Sequence, residues 1–212
     1  MGYNAEKDAQ KWAATHQKIL ETALHVFAEK TIDAVNLTEI ANKAGVGIMT
    51  VYRHFDKKPD LVLAVSTWAW ERYRNQATHS LDQSVMTAAE FFEFYLNSFI
   101  DLYRNHRDLL CFNLYFNVYV KREDIPTEQM QPYANVIDTL AGQFHNIYLL
   151  GCQDGTLRVE KSEKAMFSAT LHLMLAAVAR YAAGLVFDAG IDPESELLLL
   201  KKMLMKEYTM EK

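Results

Sequence analysis

Glycine and proline, the residues that most often interrupt regular structure, are scarce in the middle of this 212-residue chain. No glycine occurs between Gly47 and Gly142, and no proline occurs between Pro59 and Pro126. A sheet of short strands needs such turn residues at short intervals. Their absence over these lengths excludes that kind of fold and favours long helices. The sequence therefore predicts an all-α protein.

Cysteine is also scarce, and the motifs of common enzyme centres are missing. Cys111 and Cys152 are too few for a disulfide framework and match no metal-ligand spacing, so a reducing cytoplasm is the expected compartment. His106, His145 and His172 lie on different predicted helices. Neither a nucleophile motif nor a phosphate-binding loop is found. We therefore expect no enzyme activity, no cofactor and no metal site.

Long uninterrupted apolar runs are missing as well. The longest, residues 171–187, contains His172 and Arg180 and is shorter than the ~20 apolar residues that a membrane span needs. We therefore expect a core or interface helix there, no membrane partner and, from the polar start of the chain, no secretory signal. The net charge is −5, but residues 1–60 contain eight basic and eight acidic residues. A local basic site near the N-terminus is compatible with this balance.

Apolar spacing and capping residues predict nine helices. A short second helix begins at Asn36, with Glu39 at the capping-box position, and is ended by Gly45. The fourth helix opens at Lys58-Pro59-Asp60, where a first turn tolerates the proline. The other predicted helices span about residues 9–30, 48–55, 60–80 (the fourth), 85–105, 107–121, 127–151, 162–188 and 194–209.

The most informative segment, residues 36–61, reads NLTEIANKAGVGIMTVYRHFDKKPDL. It predicts two short helices joined around a glycine, which is typical of a helix-turn-helix. Gly45 suits the left-handed conformation that ends a helix, and Val51 and Phe55 anchor the next helix inward. The outer surface of that helix mixes apolar, hydroxyl, aromatic and basic groups, which suits a groove of bases and phosphates. Its candidate DNA-binding residues are Ile48, Met49, Thr50, Tyr52, Arg53 and His54.

These residues resemble the tetracycline-repressor (TetR) family of bacterial transcriptional regulators. The resemblance covers about residues 10–65, and the rest of the chain is similar only in its helical layout. The matching residues are Ile40-Ala41, Ala44-Gly45-Val46, Thr50-Val51-Tyr52-Arg53-His54-Phe55, and Lys58 with Leu61. Two departures concern DNA reading. Gly47 stands where Ser or Thr often caps the recognition helix, and Met49 replaces a small residue or proline, so no base preference carries over.

The resemblance implies a homodimer that binds a double-stranded DNA operator and a small-molecule effector. It also implies a phosphate contact for Lys58, with Thr38 as a similar candidate. We expect residues 1–57 to form the helix-turn-helix DNA-binding domain and residues 58–212 to form a larger ligand-binding and dimerisation domain.

Aromatic residues are concentrated in the middle of the chain, where ten of 25 lie between Phe91 and Tyr119. Most must be core, but buried tyrosine hydroxyls need partners, and ligand pockets place a few polar groups in apolar walls. The family's effector pocket is lined by this region. The predicted walls around a small, largely apolar ligand are Tyr95, Phe99, Tyr103, Phe112, Tyr115, Phe116, Tyr119, Phe144, Tyr148 and His172. A solid aromatic core is the alternative.

The last two predicted helices, 162–188 and 194–209, are the expected dimer interface, because both are apolar over a wide face. Two such helices from each subunit would make a four-helix bundle on a two-fold axis. The first carries small or apolar residues at Ala169, Leu173, Ala176, Ala177 and Gly184. The second carries Leu197, Leu198, Leu199, Leu200, Leu204, Met205 and Tyr208.

Taken together, the sequence favours a ligand-responsive, sequence-specific repressor. The ligand would favour a dimer geometry that no longer fits the spacing of the two half-sites, with the fourth helix as the lever. Two other classes stay open: an all-α enzyme that uses the aromatic cavity, and a helical adaptor that binds protein in place of DNA. Salt-sensitive DNA binding separates the repressor from both.

Overall fold

The computed structural model describes residues 2–77, 86–186, 190 and 192–210. Within these residues it contains nine α-helices, one short 3-10 turn at Thr127–Met130 and a single isolated bridge between Leu157 and Thr209, so the all-α prediction is confirmed. The helices are α1 (Gly2–Lys30), α2 (Leu37–Ala44), α3 (Ile48–His54), α4 (Lys58–Ala77), α5 (Ala88–Asn105), α6 (Arg107–Arg122), α7 (Gln131–Asp154), α8 (Glu163–Ala182) and α9 (Pro193–Tyr208).

The described chain divides into two compact units. The first unit contains Met1–Arg72 and Phe112–Tyr133, and the second unit contains Tyr73–Cys111 and Ala134–Lys212. The first unit therefore holds more than the helix-turn-helix, because it includes part of α4 and most of α6. The functional boundary between residues 57 and 58 stays a prediction.

A single apolar cluster forms the centre of the first unit. Ile19, Phe27, Ile40 and Val51 are fully buried, and the burial of Val51 fits its predicted inward position on α3. Phe112 of α6 joins the same cluster, and its ring centroid lies 6.1 Å from that of Phe27. Aromatic side chains bury large apolar areas, so these residues contribute much of the stability of the unit.

Two helix ends differ from the prediction. α1 begins at Gly2, seven residues before the predicted start at residue 9, and the added segment includes the helix-forming residues Ala5, Glu6 and Lys7. α8 ends at Ala182 where residue 188 was predicted, although residues 187–189 lie outside the described chain. Gly184 has a φ of +69° and its N–H donates to the carbonyl of Tyr181, so it stands beyond the helix end and not on the predicted helical face.

The second unit buries part of the surface that was predicted to contact a second subunit. Leu197, Leu204 and Tyr208 of α9 are buried inside the unit, where α9 packs against α5 and α8. Their placement in a subunit interface is therefore wrong. The apolar side chains that α9 leaves exposed are Leu198, Leu199 and Met203.

The end of α9 is joined by backbone hydrogen bonds to the segment that follows α7. The N–H of Arg158 donates to the carbonyl of Tyr208 over 2.8 Å, and the N–H of Met210 donates to the carbonyl of Thr156 over 3.0 Å. Gly151 of α7 packs directly on Leu157, since a methyl group at position 151 would lie 2.8 Å from Leu157 Cβ. Only glycine permits this close approach.

One described helix, α8, is long and apolar enough to cross a membrane by length and composition, with a mean hydropathy of 1.2. This is weak evidence for a membrane span, because a core helix passes the same test. α8 packs against both α5 and α9.

Candidate nucleic-acid interface

The turn between α2 and α3 has the geometry of a helix-turn-helix. The side-chain oxygen of Asn36 accepts from the N–H of Glu39 over 2.9 Å, which confirms the predicted cap of α2. Gly45 ends the helix with a φ of +63°, and the N–H of Val46 then donates to the carbonyl of Ala41 over 3.0 Å. The cap uses the backbone N–H of Glu39, whereas the Glu39 carboxylate accepts from Lys30 Nζ over 2.8 Å.

α3 begins without a side-chain cap, as its sequence predicts. Gly47 is extended with a φ of −70°, and no side-chain hydrogen bond caps the helix. The N–H of Thr50 donates to the Gly47 carbonyl over 2.8 Å. Val51 and Phe55 are buried and attach the helix to the first unit, so the opposite face of this short helix is fixed toward solvent.

That outer face carries most of the side chains predicted to touch DNA. Met49 is 70% exposed and Tyr52 is 46% exposed, while Arg53 is exposed and Thr50 is half-buried. Ile48 is an exception, because it is half-buried and packs against the apolar cluster of the first unit. Its contact with DNA stays a prediction.

Two clefts flank α3, and each contains positive charge. The first, here the Lys57 cleft, has a volume of about 650 Å³ and is lined by Thr38, Tyr52, Lys57 and Lys58 as well as Asp33 and Asp56. The second, here the Lys11 cleft, has a volume of about 390 Å³ and is lined by Lys11, Trp12, Thr50, Arg53 and His54 as well as Asp8. α3 is thus a ridge between two clefts.

His54 is held against α1. Its ring stacks on Trp12 with 3.7 Å between the centroids, and its Nδ1 lies 3.2 Å from Nδ1 of His16. His16 also stacks on Phe55, with 4.9 Å between the centroids. Burial lowers the pKa of both histidines, and for His54 the nearby His16 and Arg53 lower the pKa further. These contacts fix the end of α3 to the first unit.

Lys58 lies at the start of α4 and is half-buried. Its Nζ lies 5.9 Å from the centroid of the Tyr119 ring and 3.5 Å from the Asp33 carbonyl oxygen, to which it donates. Burial lowers the pKa of the Lys58 ammonium. The Asp33 carboxylate accepts from Arg122 of α6, and this contact lowers the pKa of Asp33. Arg122 thus neutralises an acid on the wall of the Lys57 cleft.

The sequence analysis missed five residues of this region: Lys11, Trp12, His16, Lys57 and Arg122. The first three share one face of α1 at helical spacing, so a helix extended toward residue 2 is the signal that places them beside α3. Arg122 had no such signal, because 89 residues separate it from Asp33.

The predicted aromatic pocket is distributed over both units. Phe112, Phe116 and Tyr119 are buried in the cluster of the first unit, with Tyr115 packed against it. In the second unit Tyr95, Phe99, Tyr103 and Phe144 are buried, Tyr148 is half-buried, and His172 is exposed on α8. Their contact with a ligand stays a prediction.

Two buried hydroxyls in the second unit have no hydrogen-bond partner within the described residues: those of Tyr95 and Thr170. The Tyr95 ring contacts Phe99 and Phe144, with centroid distances of 5.4 Å and 5.7 Å. Burial raises the pKa of Tyr95. An orphaned hydroxyl in an apolar setting is the kind of group that a ligand satisfies. No residue pattern had pointed to Thr170. Among the described residues no group of three or more potential metal ligands lies together.

The sequence profile of the bacterial regulatory proteins of the tetR family matches residues 19–65, which contain α2, α3 and their turn. This segment of the chain therefore has the sequence pattern of the TetR-family DNA-binding region. The resemblance inferred from the sequence is thereby confirmed, although the match covers only the N-terminal part of the chain.

Curated relatives match a part of the chain that is less than half of its length. The "HTH-type transcriptional repressor BepR" of Brucella suis biovar 1 is 34% identical over 91 residues, which are 38% of this chain and 44% of BepR. This chain covers between 26% and 46% of the length of the first curated relatives it matches. The relatives are named as regulators, in agreement with the prediction of a non-enzyme.

Solved structures are similar over nearly the whole chain. A regulatory protein of the TetR family from Rhodococcus RHA1 has a TM-score of 0.74 at 18% identity and covers 93% of this chain and 98% of its own. A transcriptional regulator from Saccharomonospora viridis in complex with choline has a TM-score of 0.76 at 16% identity and covers 94% of this chain and 100% of its own. At such identities the likeness establishes the fold.

Proposed function

We propose that this TetR-family chain is a cytoplasmic, sequence-specific DNA-binding transcriptional regulator that acts as a repressor and is released from its operator by a small, largely apolar inducer. The observation that carries this proposal is the ridge of α3, whose exposed outer face stands between two clefts that contain positive charge. The major groove is wide enough to admit an α-helix such as α3 and has phosphates along both of its edges.

Each part of the ridge has a role in this proposal. Met49, Tyr52 and Arg53 are exposed and face base edges or the phosphates next to them. Lys57 and Lys58 on one side, and Lys11 on the other, offer ammonium groups to the two strands. Because the net charge is −5, DNA affinity rests on these local groups and not on the charge of the whole molecule.

In a homodimer, the second subunit supplies a second copy of α3 for DNA binding. The exposed apolar side chains of α8 and α9, among them Leu173, Leu199 and Met203, support an isologous contact between two copies. Two copies of α3 then read two half-sites, which fixes their spacing on the operator.

The inducer site is proposed for the second unit, near the orphaned hydroxyl of Tyr95. The complex of the Saccharomonospora viridis regulator with choline supports a small-molecule site in a protein of this fold. A ligand that prefers one dimer geometry lowers DNA affinity, and by reciprocity bound DNA lowers ligand affinity by the same factor.

The experiment is selection of bound duplexes from fragmented genomic DNA, followed by binding curves on an enriched site and on a scrambled site at several salt concentrations. We expect an enriched sequence with two-fold symmetry and an affinity that falls steeply with salt. Failure to enrich any sequence, or salt-independent binding, contradicts the proposal and favours an adaptor that binds protein. A thermal-shift screen with hydrophobic compounds and choline then tests the inducer, and turnover of a bound compound favours an enzyme.

A further inference from the structure

The crest of the α3 ridge is apolar. Met49 is the most exposed large hydrophobic side chain among the described residues, at 70%. Tyr52 lies three residues later on the same helix and is 46% exposed, and residues three apart are neighbours on a helix surface. A single exposed apolar residue is ordinary, but this pair stands on the one surface that the proposed function turns toward DNA.

Both flanks of the ridge carry basic side chains among acidic ones, and these basic groups orient the crest when they contact phosphates. The Lys57 cleft contains Lys57 and Lys58, and the Lys11 cleft contains Lys11 and Arg53. When these groups meet the phosphates on both sides of a major groove, the crest between them faces the base edges. Met49 then lies within the groove, where it loses its contact with water.

The chemistry of the methionine side chain limits which features of a base edge Met49 can recognise. Its thioether donates no hydrogen bond and accepts only weakly, so it does not distinguish bases by their donors and acceptors. Its flexible, polarizable side chain makes favourable apolar contacts. In the major groove the apolar feature of a base edge is the methyl group on C5 of a pyrimidine.

We propose that Met49 reads the 5-methyl group of one pyrimidine in each half-site. This inference rests on the proposed function, since it requires α3 to enter a major groove. Thymine carries this methyl group, and so does 5-methylcytosine. Met49 is thus a specificity-determining residue that selects by apolar contact, next to the hydrogen-bonding groups of Thr50 and Arg53.

The test uses duplexes of an enriched operator in which each thymine in turn is replaced by deoxyuridine, which lacks only the methyl group. Burial of one such group corresponds to about a four-fold change in affinity. We expect one thymine position per half-site at which the replacement weakens binding about four-fold, and about fifteen-fold when both half-sites are changed. In parallel, each cytosine is replaced by 5-methylcytosine. A gain in affinity of about four-fold at one cytosine, with no effect of deoxyuridine at any thymine, shows that Met49 contacts the methyl group of 5-methylcytosine and not that of thymine.

Variants assign the effect to Met49. Met49→Ala binds methylated and unmethylated duplexes equally, whereas Met49→Leu keeps an apolar side chain and keeps the preference. Met210→Ala is the matched control, because Met210 is also an exposed methionine, at 55%, but lies after α9. It retains the full methyl effect. The thermal midpoint of each variant verifies that the exposed substitution leaves the fold intact.

Two results overturn the inference. One is an enriched operator on which no methyl group changes the affinity of the natural chain. The other is an equal methyl effect in Met49→Ala and the natural chain, which assigns the effect to another residue or to DNA stiffness. Both differ from a failure of the proposed function, in which no sequence is enriched at all.

Discussion

Arg53 and Lys58 are both cationic, but their surroundings give them different freedom. Arg53 is exposed on α3 beside the Lys11 cleft. Lys58 is half-buried over the Tyr119 ring and donates to the Asp33 carbonyl. The fork of an arginine reaches a guanine edge with two hydrogen bonds, whereas the compact ammonium of a lysine suits phosphate without choice of base.

We therefore expect Arg53→Ala to lose about 1–3 kcal/mol of discrimination at one position in each half-site. Lys58→Ala weakens operator and scrambled DNA alike and reduces the salt slope by roughly two contacts per dimer. Binding curves on both duplexes at several salt concentrations measure this. Equal losses on both duplexes for Arg53→Ala would make Arg53 a phosphate contact and contradict the assignment.

His16 and His54 predict a dependence of stability on pH. Their two Nδ1 atoms are 3.2 Å apart and share one hydrogen, and both pKa values lie below the ordinary value of 6.5. The folded chain therefore binds fewer protons than the unfolded chain between the lowered pKa values and 6.5. Stability is fully present above pH 6.5 and is lost as the pH falls through that window.

The measurement is urea unfolding of the natural chain and of His16→Gln at pH 7.5 and pH 5.5. We expect the natural chain to lose more unfolding free energy between the two pH values than the variant does. An identical loss in both proteins would show that other groups cause the acid sensitivity.

At the scale of elements, the turn between α2 and α3 depends on backbone conformation more than on space. Gly45 has a φ of +63°, and a methyl group there would meet only Lys18 Nζ, at 3.7 Å. Gly45→Ala is therefore expected to cost about 1–2 kcal/mol of unfolding free energy through the left-handed backbone alone. Gly47→Ser, two residues later at an extended position, is the matched substitution and is expected to gain a few tenths of a kcal/mol by capping α3. Chemical denaturation of both variants measures the change in unfolding free energy, which is expected to be negative for Gly45→Ala and positive for Gly47→Ser. An unchanged unfolding free energy for Gly45→Ala contradicts this account.

The ion pair between Arg122 of α6 and Asp33, which follows α1, affects the charge of the Lys57 cleft more than the stability of the fold. Arg122 and Asp33 are both about half exposed, so Arg122→Ala is expected to change the unfolding free energy little. It leaves the Asp33 carboxylate unpaired on the wall of the Lys57 cleft, where it repels phosphate. We expect DNA affinity to fall by roughly a few-fold at low salt and by less at high salt.

The control for this prediction is Asp33→Asn in the Arg122→Ala background, which removes the repelling charge and restores affinity. Binding curves at two salt concentrations measure both proteins. If the double variant stays weak, Arg122 acts through the position of α6 and not through charge.

Signals within a few residues of each other predicted the helices and their ends. The features that the sequence did not predict depend on packing between residues far apart in the chain. The cap by Asn36 and the left-handed Gly45 follow from residues within ten positions of each other, and both were predictable. The partial burial of Ile48 depends on packing against the cluster of the first unit, which its position on α3 does not reveal. The burial of Leu197 likewise depends on α9 packing against α5 and α8. When a helix is apolar on several sides, its sequence does not show which side packs within the same subunit.

At the scale of the whole molecule, the exposed apolar side chains of α8 and α9 predict the oligomeric state. Sedimentation is expected to give a dimer at micromolar concentration for the natural chain. Leu199→Glu places a charge on this surface, which a subunit contact does not tolerate, so a monomer with much weaker operator binding is expected. Leu149→Glu, at another exposed leucine on α7, is the control and stays dimeric. A natural chain that sediments as a monomer contradicts the dimer.

The contact between Gly151 and Leu157 restricts how this sequence can diverge. A side chain at position 151 meets Leu157 Cβ as well as its outer carbons, so shortening residue 157 to alanine does not relieve the clash. Only glycine at position 157 removes all of these carbons, and it also removes a buried leucine side chain from the second unit. We expect descendants of this gene to keep the glycine while the exposed surface of α7 drifts, or to change it only together with the length of the connection that follows α7.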